Sequence, residues 1–229
     1  MNKKDFCLKK LGQRGRIVIW QVEGEKIRKD LDEEFTNFGQ HYRFKYIPIF
    51  EFWIDKEANP DEQRFFIDHL LVEWQAMKKG LSYNKASDLA DLQERVERYK
   101  AGDIKKVWDR KGEIDFAKIH QKLLKRTTDK LSVWLIDGRL VRSVFHVEFT
   151  QGGHDQVYDF VPKGEVWIDN DLIAEERPYV ILHELYERGL MATQGLPYKE
   201  AHRRSSRLEW HSRYDKQKLQ ENLKTVGWL

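Results

Sequence analysis

Glu51-Phe52-Trp53-Ile54-Asp55 returns 114 residues later as Glu165-Val166-Trp167-Ile168-Asp169. Outward from this pentapeptide the same offset keeps pairing like with like. Upstream, Trp20 falls on Trp134, Gly24 on Gly138, Arg28 on Arg142, Glu34-Phe35-Thr36 on Glu148-Phe149-Thr150 and Gly39 on Gly153. Downstream, His69, Leu71, Glu73 and Met77 fall on His183, Leu185, Glu187 and Met191. After one inserted residue before Gly195, Leu81, Tyr83, Ala86, Glu94, Arg98 and Tyr99 fall on Leu196, Tyr198, Ala201, Glu209, Arg213 and Tyr214. Identity over the paired stretches is about 30%, where unrelated chains of average composition agree at about 6%. A self-match at one fixed offset marks a duplicated unit. The chain therefore divides into a first copy (1–101), a connector (102–130) and a second copy (131–229).

Each copy reads alike. Arg16–Val22 and Leu131–Ile136 are β-rich runs, followed by Glu23-Gly24 and Asp137-Gly138, which signal hairpins. Return strands are expected through Phe35 and Phe149, leading to glycine-containing turns, and a third short strand ends in each Trp-Ile-Asp. Two helices follow, near 61–79 and 175–193, then near 83–100 and 198–224, with Gly80 and Gly195 as stops. The expected fold is α+β: two small antiparallel sheets, each followed by a helical pair. Units this small gain from packing on one another, so the copies are expected to pair within the chain about a pseudo-twofold axis. Trp53 and Trp167 are assigned to the core.

Composition narrows the function classes. The 229 residues carry 40% hydrophobic and 13% aromatic side chains, which excludes an intrinsically disordered chain. The longest uncharged apolar runs, near Ile17–Val22 and Tyr179–Leu182, are too short for a membrane span. The start of the chain has no secretory apolar segment, and Cys7 is the sole cysteine, so a cytoplasmic setting is expected, with neither a disulfide framework nor a cysteine-rich zinc site. Net charge is only +3. The connector holds nine Lys/Arg against five acids, most simply a solvated helix; a nucleic-acid face there, or along Arg203, Arg204 and Arg207, is the less favoured reading.

The chemistry-bearing residues separate the copies. His183-Glu184-Leu185-Tyr186-Glu187 puts His183 and Glu187 one helical turn apart on one face, with Glu184 beside them. The second helix adds His202 and, two turns on, Glu209; the loop after Gly152-Gly153 adds His154. Three protein ligands with one open position suit a catalytic zinc, and His183, Glu187 and His202 supply them, with Glu184 as general base. His183 and Glu187 have counterparts in His69 and Glu73, but Glu184 is replaced by Leu70, His202 by Ser87 and His154 by Gln40. One copy thus reads as working and the other as degenerate. His154, Glu209 and Asp169 are assigned to supporting positions or to alternative ligands. The competing reading of the string alone is structural: a helical His–Glu pair, with Glu184 paired to Arg188 four residues on.

This helix resembles that of the zincin metallohydrolases, whose HExxH motif supplies two zinc ligands and the catalytic glutamate. Here the fifth position is Glu187 in place of His. Carboxylates are zinc ligands too, and an oxygen-richer set also admits manganese or another divalent ion. The second copy is also similar to a group of uncharacterised bacterial and phage proteins, through Pro162–Asp169, His183–Met191 and Tyr198–Glu209. The zincin resemblance implies a zinc-dependent hydrolase of peptidase type, its substrate unknown. The alternative is a non-catalytic structural or interaction module with a buried His/Glu network.

Overall fold

In a computed structural model, which describes residues 5–128 and 130–229, the chain is α+β and forms two units. One comprises Met1–Lys106 with Arg142–Glu148, the other Val107–Val141 with Phe149–Leu229. The first copy runs β1 (Cys7–Arg14), β2 (Ile17–Val22), α1 (Gly24–Asp30), β3 (Phe38–Gln40), β4 (Glu51–Asp55), α2 (Gln63–Lys78) and α3 (Tyr83–Ala101). The second repeats it as β5 (His120–Thr128), β6 (Leu131–Ile136), α4 (Gly138–Val144), β7 (Gly152–His154), β8 (Glu165–Asp169), α5 (Arg177–Gln194) and α6 (Tyr198–Ser212), then adds α7 (Lys216–Thr225).

The sheet orders are β1-β2-β4-β3 and β5-β6-β8-β7. Both sheets are mixed, where antiparallel ones were expected. β2 pairs with β4 in parallel, Trp20 opposite Trp53, and β6 with β8 likewise, Trp134 opposite Trp167. A parallel pair needs a crossover rather than a tight turn, and the expected hairpins at Glu23-Gly24 and Asp137-Gly138 are in fact the starts of the crossover helices α1 and α4. Their glycines serve close approach. A Cβ on Gly24 would stand 1.7 Å from Asp55 Oδ2, and one on Gly138 2.1 Å from Asp169 Oδ1. Phe35 and Phe149 lie in loops and are fully buried. Gly39 and Gly153, expected in turns, sit inside β3 and β7, where an aromatic ring rests on each; an added Cβ would come within 2.6 Å of Phe44 and of Tyr158.

The 102–130 segment, expected as a helical connector, holds 3-10 turns at Asp103–Lys106 and Phe116–Lys118 and a β-bridge between Trp108 and Ile114 before it becomes strand β5. Lys122, Lys125 and Arg126 lie on this edge strand, so part of the basic surplus guards an open sheet edge, a common place for lysine. Its first-copy twin β1 also escaped the sequence reading. Register shifts in both break the two-residue alternation that reveals a strand.

The helical pairs match expectation in place and extent, except that the last one is divided. α6 ends at Ser212, and Asp215 caps α7 by accepting from the backbone N–H of Gln217 and Lys218. α5 turns Val180, Ile181, Leu182 and Leu185 into a core with Val133, Val166 and Ile168, closed by Leu219 and Leu223 of α7. α2 packs Phe66, Leu70 and Trp74 on Ile19, Phe52 and Ile54. Trp53 and Trp167 are fully buried, as assigned. Among the described residues no helix is long and apolar enough to cross a membrane.

Candidate metal centre

α5 carries three ionisable residues on its inward face, His183, Glu184 and Glu187, each nine-tenths buried or more. α6 brings His202 and Glu209 against them, and the edge strand β7 brings His154. Glu187 is the hub. Its Oε1 lies 3.0 Å from His154 Nε2 and its Oε2 lies 2.8 Å from His202 Nδ1 and 3.4 Å from His183 Nε2. The third edge of that triangle, His183 Nε2 to His202 Nδ1, is 3.2 Å. The donors of the expected ligand triad are therefore mutual neighbours. Donors bonded at about 2.0–2.1 Å to one tetrahedral ion stand about 3.3–3.4 Å apart. The edges of 3.2 and 3.4 Å match that spacing, and the 2.8 Å edge is a hydrogen bond between Glu187 and His202.

The far side of His183 is anchored by a relay. His183 Nδ1 lies 2.9 Å from Glu209 Oε2, Arg213 donates to Glu209 Oε1 at 2.7 and 3.2 Å, and it donates again to Glu176 at 2.8 Å. A carboxylate on Nδ1 keeps a proton there, so that Nε2, once its own proton is lost, turns a lone pair to the triangle, the usual support of a metal-binding histidine. Glu209 thus lies against the nitrogen of His183 that faces away from the triangle. Asp169 does not join the cluster; it lies at the end of β8 beneath Gly138 and accepts from the Asp171 N–H at 3.0 Å.

The electrostatics follow from burial and these contacts. For Glu187, burial alone would raise the carboxyl pKa, but hydrogen bonds from His154, His183 and His202 overturn that and hold it far below its ordinary value. Glu209 is likewise lowered, to about 2, by His183 and Arg213 against the cost of burial. His183 stands well above its usual value, because its bonds to Glu187 and Glu209 outweigh burial. Glu184 goes the other way. Burial, aided by Glu187, raises it to about 7 although His183 and His154 pull it down. Among the described residues Glu184 has no hydrogen-bond partner. The ion pair weighed for it goes elsewhere: Arg188 forks onto Asp155 at 2.6 and 3.1 Å.

The first copy repeats the relay. His69 Nδ1 meets Glu94 at 2.9 Å, Arg98 donates to Glu94 at 2.7 Å and to Glu62 at 2.6 Å. What faces the other nitrogen differs. Leu70 and Ser87 stand where the second copy has Glu184 and His202, and Phe38, the counterpart of Gly152, puts its ring 5.2 Å from that of His69. Gly152 is tight already: a Cβ there would come within 3.0 Å of Glu184 Cγ and Oε1. The sequence reading missed Gly152, although the Phe38/Gly152 mismatch lay in the alignment. It also passed over Glu62/Glu176, an identity whose role appears only once Arg98 and Arg213 are seen to reach it. Among the described residues, the groups of three or more potential ligands lie in the second copy: His183–Glu187–His202 and His154–Glu184–Glu187, the donors of each within 4.8 Å of one another. Arg203 and Arg204 pair with Glu200 on the solvated side of α6, as the plainer reading had it.

No family model matches the chain, and no curated protein or solved structure does so either.

Proposed function

We propose that the second copy is a metal-dependent hydrolase centre acting on a carbonyl substrate of amide or ester type, and that the first copy is its structural twin. The observation that carries this is the triangle of His183 Nε2, His202 Nδ1 and Glu187 Oε2, with edges of 3.2, 2.8 and 3.4 Å, beside the buried Glu184, whose carboxyl pKa is raised to about 7 by burial. His183, His202 and Glu187 would hold zinc, or a manganese-like ion, and the ion would act as a Lewis acid on water and on the carbonyl oxygen. Glu184 accepts the proton that the attacking water gives up and returns it to the leaving group. Gly152 lets the Glu184 side chain come against the strand, where the first copy has the side chain of Phe38. Glu209, fixed by Arg213, keeps His183 in the tautomer whose Nε2 has its lone pair free for a cation. A reducing, cytoplasmic setting suits the single Cys7.

Elemental analysis of the purified chain, beside a His183→Ala/His202→Ala variant, tests the reading. One metal per chain, lost in the variant, supports it. No metal in either after incubation with zinc and manganese removes it. That outcome would favour the second reading, a buried polar network that only stabilises the helical pair, for which the shared relay in the first copy speaks.

A further inference from the structure

The geometry points to His154 as the residue that positions Glu187, not as a ligand, so that the centre takes a single ion and leaves Glu184 unligated. This rests on the metal reading above. His154 is fully buried, and its Nδ1 accepts the backbone N–H of Gln156 at 3.2 Å. A neutral imidazole has one protonated and one bare nitrogen, so the ring proton sits on Nε2, 3.0 Å from Glu187 Oε1. A protonated nitrogen offers no lone pair to a cation. Moving the proton to Nδ1 would set it against the Gln156 N–H, two donors facing one another in a buried site.

The first copy meets the same two demands with an amide. Gln40 Oε1 accepts the backbone N–H of Tyr42 at 2.6 Å, and Gln40 Nε2 donates to Glu73 Oε1 at 2.6 Å. An amide has fixed donor and acceptor ends, and His154 reproduces both: an acceptor for the N–H two residues on, a donor for one carboxylate oxygen of the helix. With Oε1 of Glu187 so engaged, Oε2 is the oxygen turned to His183 and His202. The nearby grouping of His154, Glu184 and Glu187 is therefore close in space but wrong in protonation for a second ion.

Long-range proton–nitrogen NMR of the histidine rings, with His154→Gln to assign the His154 signals, reads this directly. The expected result is a bare Nδ1 and a protonated Nε2 on His154 both before and after zinc is added, while His183 Nε2 and His202 Nδ1 shift on loading. Zinc titrations should give one ion per chain in the wild type and in His154→Gln, with affinities within about threefold. His154→Ala should bind about 10- to 100-fold more weakly, as loss of a partner that orients a ligand does. A His154 Nε2 that shifts on loading, two ions per wild-type chain, or a folded His154→Gln that binds no zinc would each overturn the proposal. A wild type that binds no zinc would defeat the metal reading instead, and the His154 tautomer in the metal-free spectrum would still decide the hydrogen-bond assignment.

Discussion

In the first copy Glu94 holds Nδ1 of the helix histidine His69, with Asp91 3.7 Å from the same nitrogen and Glu73 3.7 Å from Nε2, Phe38 lies against the ring, and Leu70 and Ser87 stand where the second copy has Glu184 and His202. In the second copy His183 is held by the same relay, yet its Nε2 faces Glu187 and His202, with Glu184 at its side and a glycine where the phenylalanine stood. Scaffold and chemistry are thus separable in this fold. The relay Glu–Arg–Glu–His survives without any site, so its purpose in both copies is to hold two helices and one imidazole in place. His154, Glu184 and His202 ride on it in the second copy only.

The largest effect that tests this division belongs to Glu184. Glu184→Gln removes the proton acceptor and leaves its size unchanged, and general-base loss costs about 10²- to 10⁴-fold in kcat. Metal content should stay at one per chain. A variant with full activity would end the assignment of Glu184 as base.

Next comes the shared relay. Arg98 is 1% exposed and Arg213 7% exposed, and each is bound by two carboxylates. Removing one partner of a buried pair strands the other, so Arg98→Met and Arg213→Met should each cost about 3–5 kcal/mol in urea unfolding. Only Arg213→Met should also weaken metal binding, by about 10- to 100-fold through the loosened Glu209 and His183. Equal metal affinity in the two variants would mean that the relay of the second copy does not serve the site.

Much of this was legible in the chain and some was not, for physical reasons. The duplication, the helical pairs and the residues of the triangle followed from spacing, because the period of a helix and the i, i+4 relation survive any packing. The edge strands β1 and β5 did not, since their bulges break alternation and their lysines mask it. Glu23-Gly24 and Asp137-Gly138 misled because the glycine of a turn and the glycine of a close contact look identical in sequence; only Asp55 and Asp169, distant in the chain, tell them apart. The repeat identity of Asp55 and Asp169 accompanies the same close approach to a helix-start glycine in both copies.

A smaller effect separates the two histidines by pH. His69 is raised to about 9: burial opposes the charge, but hydrogen bonds to Glu73 and Glu94 outweigh it. Because the folded value exceeds the unfolded one near 6.5, its stabilisation is complete below about pH 6.5 and is lost as pH rises through about 9, an amount of about 3 kcal/mol. Unfolding midpoints measured from pH 6 to 10 should therefore fall less steeply in His69→Gln than in the wild type. In the second copy zinc competes with the proton at His183, so saturating metal should flatten its share of the slope and leave the share of His69 intact. An unchanged slope in His69→Gln would place the charge elsewhere.

The smallest effect is expected on the outer face of α6, where the copies carry unlike residues. Arg203, Arg204 and Arg207 occupy the positions of Asp88, Leu89 and Leu92, residues of unrelated chemistry. The side chains of Arg203 and Arg204 are 67% and 46% exposed and both engage Glu200, an arrangement that solvent screens. Positions that tolerate aspartate, leucine or arginine on one framework answer to solvent, not to a buried partner. The triple alanine variant should leave the unfolding midpoint unmoved and KM within about twofold of the wild type. A KM that rises while kcat holds would instead mean that these arginines grip an anionic part of the substrate in its ground state, and the solvated face would then belong to the site as a feature the first copy never had.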